Sequence, residues 1–218
     1  MPGSSLWLLP PPSHPLHATL SKLISSTLPS LEPSAASDRV SPHFFAPHMT
    51  LTSGISPSLY SEDPQGWLDS IPWPRAEQVR VRFEGPGVQS QDVFFRRCFI
   101  KVQLDDVREI AGLARAWGVN GREDVVPGSK TDEWLREWPR EYVPHVSLMY
   151  GDMPLSHTKL KEVTELVEEA GILLSETNSN GGRGGEGVKG WDGGVVWLVE
   201  TGSNDIQDWK PIASRELS

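Results

Sequence analysis

Two short stretches share one pattern: Ala46-Pro47-His48-Met49-Thr50-Leu51 and Val143-Pro144-His145-Val146-Ser147-Leu148. Each reads proline, histidine, an apolar residue, a hydroxyl residue, leucine. In an extended strand alternate side chains share a face. His48 and Thr50 then point one way, with Met49 and Leu51 opposite. His145 and Ser147 do the same, with Val146 and Leu148 opposite. Pro47 and Pro144 fall at strand beginnings, where a missing N–H is tolerated. If the two polar faces meet in one cleft, its floor carries two imidazoles and two hydroxyls. Imidazole has the side-chain pKa nearest neutrality, so one ring can take a proton while its partner gives one. Splitting a phosphodiester needs such a pair: a base for the attacking water and an acid for the departing oxygen. The hydroxyls can hydrogen-bond the non-bridging oxygens, where charge gathers in the transition state. This chemistry requires no metal or cofactor.

The elements that must position these residues are interspersed strands and helices. Residues 5–12, SLWLLPPP, read as a short strand stopped by prolines. Residues 17–28 place Leu20, Leu23, Ile24 and Leu28 at helical spacing, and 29–41 are loop-like. The first motif lies in a strand over 43–55, followed by a short helical turn bounded by prolines. Residues 77–85 alternate apolar and charged, and 92–104, DVFFRRCFIKVQL, read as one long strand. Asp105 or Asp106 is expected to cap a helix with Val107, Ile110, Ala111, Ala114 and Trp117 on one face. The second motif forms a strand. A helix over 156–171 follows, capped by Ser156 and ended by Gly171, with a stripe of Leu160, Val163, Leu166 and Val167. Residues 176–194 are glycine-rich but lack the strand-then-helix context of a phosphate-binding fingerprint, and read as a flexible hairpin loop. Residues 195–201 form a closing strand, and the tail has no clear periodicity. Without the regular βαβ rhythm of a doubly wound sheet, the fold class is α+β.

The chain has 218 residues and a net charge of −9, enough for one large domain or two small lobes sharing a core. Proteins that hold long nucleic acids usually carry a basic face. The acidic balance argues against such a partner and leaves room for a small anionic one. Cys98 is the single cysteine, so no intrachain disulfide forms, and its apolar setting reads as a small buried hydrophobe. The first residues lack a basic region and a long apolar run, so no secretory signal is expected, and no stretch is long enough to span a bilayer. The simplest compartment is intracellular, most simply the cytoplasm.

The segments LWLLPP, FAPHMTLTSG, FRRCFIKV, YVPHVSLMYGD and VVWLVET, taken in this order, resemble the 2H phosphoesterases, and most closely the fungal and plant 2′,3′-cyclic-nucleotide 3′-phosphodiesterases. The resemblance implies one bilobal domain over 1–218, with two antiparallel sheets related by a pseudo-twofold axis and lining a central cleft. It implies hydrolysis of nucleoside 2′,3′-cyclic phosphates to 2′-phosphates. It implies the same for ADP-ribose 1″,2″-cyclic phosphate, a by-product of tRNA splicing. Under it, His48 and His145 are catalytic, and Thr50 and Ser147 bind substrate. Tyr150 matches an aromatic residue near the nucleobase in plant relatives. Strict alternation from Ser147 puts Tyr150 on the opposite face, so it binds only if the strand bends after Leu148, helped by Gly151; otherwise it is core. The resemblance also implies a Golgi association for fungal members; apart from it, no cofactor and a monomer are expected.

Other readings stand beside this one. Trp7, Trp191 and Trp197 are possible stacking platforms, although tryptophan in strands is commonly core. Arg96, Arg97 and Lys101 could neutralise phosphate or form a solvated sheet face. His43 lacks the following hydroxyl pattern, and His14, His17 and His157 carry no role. Two histidines with no third ligand in register fall short of a zinc constellation. Ser147 lacks the G-x-S-x-G context of a serine hydrolase. The rival functions are a related enzyme acting on RNA ends, and a non-catalytic nucleotide-binding module.

Overall fold

The first motif's strand starts only after its proline and histidine. It is Met49–Ile55 (β2), and the second motif's strand is His145–Met149 (β5). A computed structural model describes residues 3–31, 45–174, 187–203 and 205–218. The other strands are Ser4–Leu9 (β1), Arg80–Gln89 (β3), Cys98–Val102 (β4), Gly190–Asp192 (β6), Val195–Glu200 (β7) and Pro211–Glu216 (β8). All eight form one sheet in the order β6-β3-β4-β5-β2-β1-β7-β8, and each neighbouring pair is antiparallel. The two sheets expected from the sequence are therefore two four-stranded halves of one. They meet at the motif strands, through the single residue pair Met49–Val146.

The helices are Pro15–Lys22 (α1), Leu28–Leu31 (α2), Pro64–Ser70 (α3), Leu104–Gly118 (α4), Lys130–Glu141 (α5) and His157–Glu169 (α6). A wider π turn over Leu23–Thr27 joins α1 to α2, so the expected helix over 17–28 changes pitch midway. The apolar stripes of α4 (Val107, Ile110, Ala111, Ala114) and α6 (Val163, Val167) join the sheet in the main core. Gly118 ends α4 against β2, where an added Cβ would stand 3.1 Å from Ile55.

Met49, Leu51, Val146 and Leu148 are at most 1% exposed and lie in that core. Burying side chains of this kind contributes roughly 1.5–3 kcal/mol each. Slipping either strand by one residue would exchange them with the histidines and hydroxyls, so the hydrophobic pattern fixes the register. Strand β1 is buried along its whole length. Leu6 and Leu8 enter the main core, and Trp7 and Leu9 pack on the opposite face with Val199.

Several boundaries differ from expectation. The long strand over 92–104 is β4 alone, preceded by a 3₁₀ turn at Phe94–Arg96, so Arg96 and Arg97 lie outside any strand. Helix α4 begins earlier than expected, at Leu104 behind Gln103, so Asp105 and Asp106 do not cap it but occupy its first turn, where they favour the helix dipole. Helix α5 was not anticipated: Thr131, Leu135 and Trp138 are its buried residues, and it contains Pro139. The tail forms β8. In the glycine-rich stretch, Gly190–Asp192 is a strand paired with β3; residues 175–186, like His43, lie outside the described residues. Among the described residues no helix is long and apolar enough to cross a membrane.

Candidate active site

His48 immediately precedes β2, and His145 is the first residue of β5. The antiparallel pair Met49–Val146 lies at the centre of both motifs. Continued by one residue each way, this register sets His48 across from Ser147 and Thr50 across from His145. All four side chains lie on the face opposite the main core. The structure thus brings together the four motif residues read from the sequence.

The same local device orients both rings. His48 Nδ1 bonds the Ala46 carbonyl at 2.7 Å, and His145 Nδ1 bonds the Val143 carbonyl. In each case the acceptor lies two residues back, across a proline whose fixed φ shapes the turn. A carbonyl only accepts, so Nδ1 carries the proton and Nε2 of the neutral ring is bare. Val143 adopts φ +50°, an uncommon conformation for a β-branched residue.

Both rings resist protonation. Burial pushes His48 down to about 3, against a rise from the Ala46 carbonyl, and His145 nearby lowers it further. Burial likewise pushes His145 down to about 4, against the Val143 carbonyl, with the Arg96 charge adding to the fall. At neutral pH the site therefore holds two neutral imidazoles. His48 is only 4% exposed, so little of its ring is open to a ligand.

Aromatic rings enclose the histidines. Trp7 lies flat on His48, with ring centroids 3.6 Å apart and planes 9° apart. Phe45 meets His48 edge-on at 6.1 Å, and Phe99 meets His145 at 5.3 Å. Ser147 Oγ donates to the Phe95 carbonyl at 2.7 Å, and the Tyr150 hydroxyl lies beside Ser147. Ser147 must release that carbonyl before it can donate to a phosphate oxygen.

The strand ends at Met149, and Tyr150 turns back toward Ser147 instead of following strict alternation. Gly151 N–H donates to the Phe94 carbonyl and fixes the bend. Tyr150 is 6% exposed, and Phe45 stacks on it at 4.0 Å, so its ring is largely covered. The open ring is Phe95, 44% exposed, which lies 5.7 Å from Trp209. Trp209 is held by its indole N–H on the Ser203 carbonyl and meets Trp7 edge-on at 6.2 Å. Phe45 and Phe95 open two of the segments that carry the resemblance, whereas Trp209 lies in none of them; Phe45 reaches His48 directly, Phe95 packs against Tyr150, and Trp209 against Trp7. Of the other tryptophans named from the sequence, Trp191 is core and Trp197 packs beside Trp7.

Lys101 stands opposite His145 across β4 and β5, and its ammonium is paired with Glu84 at 2.9 Å. Arg96 donates to the Glu141 carbonyl at the end of α5, the helix that leads into His145. Arg97 is buried against Gly151, where an added Cβ would fall 2.6 Å from Arg97 Cδ. Among the described residues no three His, Cys, Asp or Glu side chains form a metal-holding group. A separate cavity of about 380 Å³ is lined by Glu77, Arg80, Asp105, Asp106 and Glu109 among others. Its carboxylates would repel a phosphate ester.

The fold is α+β, with the paired histidine–hydroxyl motifs at the centre of its sheet. The chain belongs to the cyclic phosphodiesterase-like protein family, whose model matches residues 1–217. A 2′,3′-cyclic-nucleotide 3′-phosphodiesterase of Neurospora crassa is 62% identical over 221 residues, covering 100% of both chains. Its namesake in Phaeosphaeria nodorum is 40% identical over 220 residues, again covering 100% of both. That of Yarrowia lipolytica is 25% identical over 242 residues, covering 99% of this chain and 100% of its own.

Proposed function

We propose that this protein hydrolyses nucleoside 2′,3′-cyclic phosphates to 2′-phosphates without a metal. The observation that carries the reading is the pairing of the two motifs about Met49–Val146, which gathers both imidazoles and both hydroxyls on one face. The names of the fungal relatives supply the substrate class. In the reaction, His145 Nε2 takes a proton from water as its oxygen bonds to phosphorus. The bond from phosphorus to O3′ breaks, and His48 Nε2–H protonates O3′. Thr50 and Ser147 hydrogen-bond the non-bridging oxygens. Arg96 lowers the proton affinity of His145, while burial lowers that of His48 further, so His48 gains its proton only with the anionic diester bound beside it. Exposed Phe95 beside Trp209 suits a nucleobase, with buried Tyr150 positioning Ser147.

The same site accommodates ADP-ribose 1″,2″-cyclic phosphate, which would place the enzyme in the disposal of a tRNA-splicing by-product. The protein acts as a cytoplasmic monomer. It is one bilobal domain over 1–218, whose sheet halves are related by an approximate twofold axis between Met49 and Val146. Phosphorus NMR of a 2′,3′-cyclic nucleotide incubated with the protein in excess chelator tests the central claim. A 2′-phosphate product is expected. No turnover, a 3′-phosphate product, or activity lost to the chelator would each refute it. An oligonucleotide ending in a cyclic phosphate should be a poor substrate beside the mononucleotide.

A further inference from the structure

The two histidines have unlike surroundings. His145 has the Phe99 ring tilted by 67° at 5.3 Å, Lys101 paired with Glu84 on the neighbouring strands, and the Arg96 charge nearby. His48 has one large flat neighbour: the indole of Trp7, at 3.6 Å and nearly parallel. Trp7 cannot drift from that position. It is 4% exposed, lies in β1 opposite both Thr50 and Trp197, packs with Leu9 and Val199, and is abutted by the edge of Trp209. His145 is the ionisable group acting on His48, and Tyr150 lies beyond Phe45.

An aromatic face is electron-rich. Against a neutral imidazole it supplies dispersion alone, whereas against an imidazolium it adds a cation–π attraction that is stronger when water is excluded. Indole is the strongest such platform among the side chains. We propose that Trp7 is a positioning residue for the reaction: its indole holds the His48 ring in place and, against the burial that disfavours charge there, stabilises the protonated form the ring takes when an anionic diester is bound, making His48 the proton donor to the leaving oxygen. Trp7 is 4% exposed and stacked on His48, and its effect passes through that ring. It acts on where the site's proton resides. This inference rests on the hydrolytic reading above.

The test is the pH profile of kcat and KM for a 2′,3′-cyclic nucleotide in wild type, W7F and W7L. The limb on which kcat falls as pH rises reports the group that must be protonated. Losing the indole should move that limb down by about one pH unit in W7L, and by less in W7F, with KM little changed. At a fixed pH on that limb, turnover then drops about tenfold in W7L. A limb that stays in place in both variants, or equal losses in W7F and W7L, would reduce Trp7 to packing and overturn the proposal. If W7L does not fold, W7F against wild type decides the same question. NMR titration of the His48 ring with a 2′-deoxynucleoside 3′-methyl phosphate present gives a reading that does not need turnover. An unchanged His48 titration in W7F overturns the role of Trp7, whereas a wild-type protein without turnover overturns the hydrolytic reading instead.

Discussion

Met49 and Val146, the middle residues of the two motifs, face each other across β2 and β5 and join the two halves of the sheet. Their side chains enter the core and are wholly buried. The contact that docks one half on the other thus also aims both histidines at the same space. Since base and acid act in one step, their losses should not add. Each of H48A and H145A is expected to lower kcat for a cyclic nucleotide by roughly 10²–10⁴. The double variant should be little worse than the poorer single. Steady-state kinetics on the three proteins checks this, and a double loss equal to the product of the singles would separate the two rings mechanistically.

Binding should take up a proton. With Nδ1 of both rings bonded to a carbonyl, the free site holds two bare Nε2 atoms and no acid at neutral pH. An anionic diester beside them favours the charged form of one ring. Calorimetric titration with 2′-deoxynucleoside 3′-methyl phosphate, in buffers of different ionisation enthalpy, should report uptake of about one proton above pH 6. That ligand has no cyclic ester to open and stays ionised, so the proton must go to the protein. Binding heats independent of buffer would show that a charged ring already exists in the free site.

Stability should fall as the solution is acidified through the histidine range. Unfolded rings bind protons near pH 6.5, whereas His145 and His48 do so in the folded chain only near 4 and 3. Between those limits the unfolded state holds more protons, so the native state loses stability relative to it as pH drops. The slope is roughly 1.4 kcal/mol per pH unit for a buried ring, and less for half-buried His145. Urea denaturation of wild type and H48N between pH 4 and 6 isolates the contribution, since other groups titrate alike in both. A variant with an unchanged slope would mean that His48 is already charged in the folded protein.

Much of this site is written locally. The alternation around His48 and His145 sets the faces, and the prolines mark the entry into each strand. What the pattern does not contain is contact between distant segments. Trp7 reads as a core or stacking residue, yet its partner is His48, reached through pairing of β1 with β2. Phe95 lay inside an expected strand, but the backbone turns at Phe94–Arg96 and frees its ring. Tyr150 could be assigned to neither face because the strand stops one residue before it. Helix α5 is hard to read from the sequence because its polar composition and Pro139 obscure the stripe of Leu135 and Trp138. The single continuous sheet was hidden for a similar reason: one residue pair joins its halves.

Val143 offers a test of how firmly His145 is held. It sits just past α5, where its N–H and that of Tyr142 both reach the Trp138 carbonyl, and its own carbonyl receives His145 Nδ1–H. Its φ of +50° costs a side-chain-bearing residue roughly 1–2 kcal/mol, a penalty glycine does not pay. The side chain is 9% exposed, so trimming it also loses hydrophobic burial. V143A keeps the backbone penalty and loses most of the burial. V143G loses slightly more burial but escapes the penalty. V143G should therefore be more stable than V143A, by about 1 kcal/mol in urea denaturation. Because the acceptor is a backbone carbonyl, V143G should retain most of its turnover. An alanine variant more stable than the glycine one would show that the left-handed turn before Pro144 carries no strain, and that packing of Val143 alone holds the loop behind His145.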